Sequence, residues 1–260
     1  MSDAARLSIR NVSKSFRRHD TETVALSGIT FELQPSTIVS LVGPSGCGKS
    51  TLLRMAAGFD QPTEGQILLN GEAVRRPGPD RGIVFQQPQL FPWLTVRDNV
   101  EFGLKMRGVA RSNYQEAAQR YLLAVGLGEF SGHYPYQLSG GMRQRLQIAR
   151  VLINEPAVLL MDEPFGALDY QTRLDMQQLL LDLCARYKPT VLFITHDIDE
   201  AVFISDRIHV MSRRPGQIIG SFDVSLPRPR QFETVTAAED FIRLKLDILR
   251  LLKTSDGKGH

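Results

Sequence analysis

Gly43-Pro44-Ser45-Gly46-Cys47-Gly48-Lys49-Ser50-Thr51 satisfies G-x-x-x-x-G-K-[ST] and lies between a continuously apolar run, Ile38 to Val42, and a segment of helical periodicity, Ser50 to Ala57. That context decides the reading. Glycines let a strand-to-helix turn curl until consecutive N–H groups point inward, and the following helix adds the positive end of its dipole. The product is a cradle for di- and triphosphate oxygens. In it Lys49 is expected to reach the β- and γ-phosphates, the Ser50 hydroxyl to ligate Mg²⁺, and Thr51 to contact the α-phosphate. Gly43, Pro44, Ser45, Gly46, Cys47 and Gly48 supply the backbone, with Cys47 a small filler rather than a redox nucleophile. The alternative is a glycine-rich turn that only joins strand to helix.

Working outward, strand-like segments occur at Leu7 to Val12, Ile29 to Leu33, Ile38 to Val42, Gln66 to Leu69, Gly82 to Phe85, Val158 to Met161, Val191 to Ile194 and Ile208 to Met211. Several are apolar throughout, which suits strands covered on both faces by helices in an α/β sheet. Helical periodicity marks Ser50 to Ala57, Ser112 to Val125, Met142 to Ile153, Tyr170 to Tyr187 and Ala237 to Leu252. From about 87 to 155 there are two helical patterns and no strand, so this stretch reads as a helical subdomain inserted into the sheet. Residues 254–260 are polar and are expected to form a flexible tail.

Composition excludes several classes. The 260 residues carry 31 Lys+Arg against 28 Asp+Glu, a net charge of +3, spread along the chain and not gathered into the basic stripe that non-specific nucleic-acid binding needs. No nucleic-acid partner is expected. Two cysteines, Cys47 and Cys184, make no disulfide framework, and no Cys-x-x-Cys or His-x-x-x-His pair offers an ordinary metal site. No run reaches the roughly 18 apolar residues of a membrane span, and Asp3, Arg6 and Arg10 occupy the place of a signal peptide's apolar stretch. His19, His133, His209 and His260 are assigned no function.

Val158-Leu159-Leu160-Met161-Asp162-Glu163 is an apolar strand ending in two carboxylates, and ligands in open α/β sheets bind outside such carboxyl ends. Asp162 is placed to hold Mg²⁺, and Glu163 to accept a proton from the water that attacks a γ-phosphate. Standing alone, the pair would read as a helix cap or a solvated face. His196 follows a third apolar strand, Val191-Leu192-Phe193-Ile194-Thr195, and is a candidate sensor of the γ-phosphate.

Leu138-Ser139-Gly140-Gly141-Met142-Arg143-Gln144-Arg145 separates the phosphate-loop classes, because it resembles the signature motif of ABC transporter ATP-binding subunits. The remaining motifs match in order: Val84-Phe85-Gln86 as the Q-loop, Asp162-Glu163-Pro164 as Walker B, Ala167-Leu168-Asp169 as the D-loop and Thr195-His196-Asp197 as the switch histidine. The match runs from about 7 to 225. It implies an α/β fold with a mixed sheet core, an N-terminal antiparallel β part and the inserted helical subdomain, all within one nucleotide-binding domain over 1–253.

The resemblance also implies the mechanism. Ser139, Gly140 and Gly141 open a helix and would bind the γ-phosphate of ATP held by a second subunit, so that two chains pair head to tail around two ATP molecules. The implied catalytic set is Glu163, His196, Gln86 and Lys49. Ser50, Gln86 and Asp162 would hold Mg²⁺, and Asp169 would lie at the shared ATP. Phe16 stands where the family most often has Tyr stacked on adenine; Phe keeps the π-face and loses the hydroxyl. Its alternative is a strand-end side chain packed on the sheet. Met142 replaces the usual Gln and removes an amide from the signature.

Pro88-Gln89-Leu90-Phe91-Pro92-Trp93-Leu94-Thr95-Val96 holds the only Trp in an apolar segment beside Gln86. It reads as a groove for a short cytoplasmic helix of a membrane permease, or as the private core of the helical subdomain. Leu90 to Trp93, Phe165 to Asp169, Arg214-Pro215-Gly216 and Leu226-Pro227-Arg228-Pro229-Arg230 resemble the nitrate, sulfonate and taurine importer subfamily. This implies ATP hydrolysis at the cytoplasmic face of the inner membrane, integral-membrane permease subunits, and a periplasmic or extracellular solute-binding protein. The chain is expected to lack the regulatory β-domain of sugar-importer ATPases. Ala237 to Leu252, with Phe241, Leu244, Ile248 and Leu251 at 3-4-3 spacing, is expected to pack back on the sheet. Two other readings stay open. One is a non-transport ABC ATPase acting on nucleic acid, although no extended heptads separate Lys49 from Ser139. The other is a membrane-tethered signalling ATPase.

Overall fold

Strands that are apolar on both faces must be covered on both faces, and the architecture does this with two different layers. The computed structural model describes residues 5–18 and 21–256. Ten strands are present among them: β1 (Leu7–Arg18), β2 (Thr21–Leu33), β3 (Ile38–Val42), β4 (Glu64–Leu69), β5 (Glu72–Ala73), β6 (Arg81–Val84), β7 (Val158–Asp162), β8 (Thr190–Thr195), β9 (Arg207–Met211) and β10 (Ile218–Asp223). The helices are α1 (Lys49–Ala56), α2 (Val96–Met106), α3 (Arg111–Ala124), α4 (Gly140–Leu152), α5 (Tyr170–Tyr187), α6 (Ile198–Ile204), α7 (Phe232–Thr236) and α8 (Glu239–Asp256).

A six-stranded sheet, in the order β10-β9-β3-β8-β7-β6, is parallel except for its β10 edge, and a four-stranded antiparallel sheet runs β2-β1-β4-β5. Alternation then sorts the apolar side chains. Val39, Leu41, Val158, Leu160, Leu192 and Ile194 join the core formed with α1 and the antiparallel sheet. Ile38, Val42, Leu159, Met161, Val191 and Phe193 join the core under the remaining helices. Each fully buried side chain of this size contributes roughly 1.5–3 kcal/mol, which is why β3 and β8 carry no exposed position.

The core strands begin and end within a residue or two of their expected bounds, but the polar elements do not. β1 and β2 form a hairpin extending to Arg18 and Thr21, beyond the expected Val12 and Ile29; register shifts between Ile9 and Ser15 break the alternation, and the polar, mostly exposed distal residues around Phe16 and Val24-Ala25-Leu26 dilute the apolar pattern. β5 and β10 were not expected; β10 is an edge strand in which Gly220 lets Leu251 of α8 lie on the backbone. Three α-helices, not two, occupy the inserted stretch. The unexpected one, α2, buries Val96, Val100 and Leu104 at four-residue spacing, and its start is fixed by Thr95, whose Oγ1 accepts from the Asp98 N–H at 3.1 Å. α4 begins at Gly140, two residues before the expected Met142.

α8 packs as its spacing indicated, with Phe241 and Ile248 buried and Leu244 and Leu251 against the core. It continues to Asp256, so Thr254–Asp256 are helical and not tail; 257–260, with His260, and also His19, lie outside the described residues. The Leu226–Arg230 segment closes the end of α6. Arg230 is 2% exposed and donates to the carbonyls of Phe203 (2.8 Å), Ser205 (2.8 Å) and Leu226 (3.1 Å), and burial lowers its guanidinium to about 10. No helix among the described residues is long and apolar enough to cross a membrane.

Candidate functional site

Four adjacent parallel strands, β3, β8, β7 and β6, end at the same edge, and each delivers polar residues there: Gly43–Thr51 after β3, His196 after β8, Asp162 and Glu163 at the end of β7, and Gln86 just past β6. One edge therefore gathers residues spread over more than half the sequence.

In the phosphate loop one glycine is fixed both by its backbone and by its surroundings. Gly48 has φ +106°, and a Cβ there would lie 2.5 Å from Leu26 Cδ2. The loop rests on Gly216, whose own Cβ would lie 2.2 Å from the Cys47 carbonyl. Cys47 is buried at 1% exposure, as a filler should be. The Lys49 ammonium turns back over the loop, donating to Gly43 O at 2.7 Å and Pro44 O at 3.0 Å. α1 has no side-chain cap and no acidic residue in its first turn. By contrast α2, α4, α5 and α6 are capped by Thr95, Ser139, Asp169 and Asp197. The first N–H groups of α1 thus keep their donor capacity, and the helix end keeps its positive potential, for an anion from outside.

Ser50 Oγ donates to Asp162 Oδ1 at 2.9 Å, so the two groups expected to hold a cation already touch. Burial pushes the Asp162 carboxyl up, opposed by the Ser50 hydroxyl. A half-buried carboxylate with one hydroxyl partner at the mouth of a phosphate cradle fits a hard divalent ion, which takes oxygen ligands. Glu163 follows in the left-handed region, φ 44°, its N–H bonded to Ile194 O at 2.9 Å. For a non-glycine residue that backbone costs about 1 kcal/mol or more. The conformation carries the carboxylate to His196, whose Nδ1 lies 3.0 Å from Glu163 Oε2. Gln86 is exposed; its Nε2 passes 3.2 Å from where a Cβ on Gly166 would stand, with Glu163 Oε2 3.8 Å from the same point. Gly166, which the sequence reading did not single out, lets the amide and the carboxylate converge.

The signature residues stand apart from this group. Ser139 Oγ accepts from Met142 N–H at 3.2 Å, Gly140 faces open space, and a Cβ on Gly141 would meet Thr172 Cγ2 of α5. Asp169 caps α5 through Thr172 N–H at 3.1 Å, and that backbone bond lowers its carboxyl. None of these partners belongs to Gly43–Thr51. Phe16 lies on the β1–β2 hairpin, 45% exposed, with Lys14 Nζ 5.2 Å from its ring centroid, so it is not packed into the sheet.

Residues 26–166 match the family profile described as ABC transporter. The chain belongs to the ABC transporter family. This ABC transporter ATP-binding chain is 49% identical over 221 residues to the nitrate import ATP-binding protein NrtD of Synechocystis, covering 85% of this chain and 83% of that one. It is 45% identical over 256 residues to the taurine import ATP-binding protein TauB of Rhizobium johnstonii, covering 96% and 97%. A dimeric post-hydrolysis ATP-binding cassette bound to ADP and Pi superimposes with a TM-score of 0.74 at 32% identity, over 85% of this chain and all of that one. This ABC chain is an ATP-hydrolysing enzyme with the mixed-sheet ABC ATPase fold.

Proposed function

We propose that this chain is the motor subunit of an importer for a small solute of the nitrate, sulfonate and taurine type, working as a homodimer against integral-membrane permease subunits at the cytoplasmic face of the inner membrane. A periplasmic or extracellular solute-binding protein completes the system. The nucleotide-binding unit spans 1–253, with its helical subdomain at about 87–155. The relatives' names for nitrate and taurine import support the solute class, and the dimeric neighbour supports the pairing.

The observation that carries the catalytic reading is the Glu163–His196 contact of 3.0 Å beside an uncapped helix end. ATP binds with its β- and γ-phosphates on the N–H groups of Gly43–Thr51 and Lys49, which leaves its own loop carbonyls for them. Phe16 stacks on the adenine. Ser50, Asp162 and Gln86 would hold Mg²⁺, which would neutralise phosphate charge. Glu163 takes a proton from the attacking water as the bond from the γ-phosphorus to the β-phosphate oxygen breaks, and His196 keeps that carboxylate aimed. Ser139, Gly140 and Gly141 of the second copy, with its Asp169, close over the γ-phosphate; that they find no loop partner within their own chain supports this.

A groove of about 340 Å³ lined by Phe91, Phe102, Arg107, Arg150 and Pro156 supports permease docking. Asn99 fixes its rim, bonding Phe91 N–H through Oδ1 at 2.9 Å, and Trp93 is 71% exposed. Leu90 packs inward, so the segment serves both core and groove. Vesicles holding the chain with the permease that copurifies with it test the proposal. ATP-dependent uptake of nitrate, a sulfonate or taurine, lost in Glu163→Gln, is expected; ATP hydrolysis with no uptake of any of them would overturn it.

A further inference from the structure

Two turns matter to this chemistry and come from different strands: Leu168-Asp169, which starts α5, and His196-Asp197, which starts α6. One side chain touches both. Arg173, in the first turn of α5, donates through Nη2 to Leu168 O at 2.9 Å, while its Nη1 lies 3.7 Å from Asp197 Oδ2. Asp197 also caps α6, its Oδ1 accepting from Glu200 N–H at 3.2 Å, and adjoins His196, which holds Glu163. One turn further along α5, Gln177 Nε2 donates to Glu200 Oε1 at 3.0 Å, with both residues buried. Arg173 and Gln177 are four apart and share a helix face; Asp197 and Glu200 are three apart on α6. The helix starts are thus joined by two rungs, the outer one ionic.

We propose that Arg173 is a positioning residue that ties the Leu168-Asp169 turn to the His196-Asp197 turn, so that closure of the second copy on the first turn locks the Glu163–His196 contact, already formed in the single chain, for hydrolysis. This rests on the dimer reading above and adds to it the route inside one chain. The pair is only 30% and 37% exposed, and the Arg173 Nε is buried without a partner, a cost that the contacts of the two Nη groups offset. Arg173 contacts neither phosphate loop nor nucleotide in this reading, so its loss should act on turnover and not on binding.

The test is steady-state ATPase activity of the purified chain, with ATP affinity measured separately. Arg173→Met is expected to lower kcat about tenfold with ATP affinity changed less than about twofold, and Arg173→Lys to recover part of the loss. Asp197→Asn keeps a good helix cap and removes the charge, so it carries the test if Arg173→Met fails to fold. The double variant is expected to be no worse than the poorer single, since both remove one link. Unchanged kcat, a raised KM at constant kcat, or losses that multiply in the double variant would each overturn the proposal. Adding Arg173→Met to Glu163→Gln separates it from the reading it rests on. If Glu163→Gln alone does not dimerise with ATP, the dimer reading fails; if both forms dimerise and kcat still depends on Arg173, the positioning role stands.

Discussion

Glu163 and His196 leave neighbouring strands, β7 and β8, and meet with Oε2 3.0 Å from Nδ1, while the Glu163 backbone is bonded to Ile194 O of the same β8 strand. The contact is therefore held at both ends, by the left-handed residue that turns the carboxylate out and by the sheet that spaces the two strands. A carboxylate placed in this way, in the proposed role of base, needs no rearrangement of its own strand when substrate arrives.

Asp162 gives the first prediction. Burial disfavours its charge, so Asp162→Asn is expected to leave the nucleotide-free protein as stable as wild type or more so, while lowering kcat by about a hundredfold or more. Thermal melting at neutral pH together with ATPase assays checks both halves. A large drop in Tm would show that the carboxylate is structural.

Phe16 and Lys14 give the second. Lys14 is pinned by Asp60 Oδ1 and Gln61 O, each at 2.7 Å, and lies over the ring, leaving Phe16 as an exposed platform. Phe16→Ala is expected to weaken ATP binding about tenfold, in line with a stacking contribution of roughly 1–1.5 kcal/mol. Binding of inorganic tripolyphosphate, which has no base, should be unchanged. Equal loss for both ligands would place Phe16 in loop architecture instead.

Glu200 has a pH signature. Burial raises its carboxyl to about 7, opposed by hydrogen bonds from Thr195 and Gln177. A carboxyl raised on folding favours the native state while protonated, so its contribution is present below about pH 4.5 and is lost as pH climbs towards 7. Glu200→Gln is expected to gain stability relative to wild type across that window, by roughly 1–3 kcal/mol. Denaturant unfolding at pH 5 and pH 8 measures it; a pH-independent difference would show that Glu200 does not titrate there.

Gly48→Ala should be costly for two separate reasons, a backbone at φ +106° and a Cβ 2.5 Å from Leu26 Cδ2. An unfolding midpoint lowered by an amount equivalent to about 2 kcal/mol or more, with ATP binding lost, is expected. Calorimetry with and without nucleotide reads both effects.

The apolar strands were legible because their sequence and their environment agree: β3 and β8 are buried at every position, and no other placement satisfies them. The site residues at the ends of those strands were legible for the same reason, since a polar residue directly after a buried strand has to emerge at the sheet edge. α2 was missed because Asp98, Asn99 and Gly103 interrupt its pattern, although Thr95 followed three residues later by Asp98 was a readable cap. β10 was missed because its burial pattern is mixed and its middle is a glycine shaped by α8. Arg173 could not be read as a link from sequence. Its partners, Leu168 and Asp197, become neighbours only once α5 and α6 pack, and a charged residue in a helix's first turn looks like a solvated face.

Sedimentation equilibrium of Glu163→Gln with saturating ATP and Mg²⁺ tests most directly the claim that nucleotide joins two copies through Lys49 on one side and Ser139 to Gly141 on the other. Twice the monomer mass with one ATP bound per chain is expected, and a return to monomer when ADP replaces ATP. A species that binds ATP stoichiometrically and stays at monomer mass would contradict it.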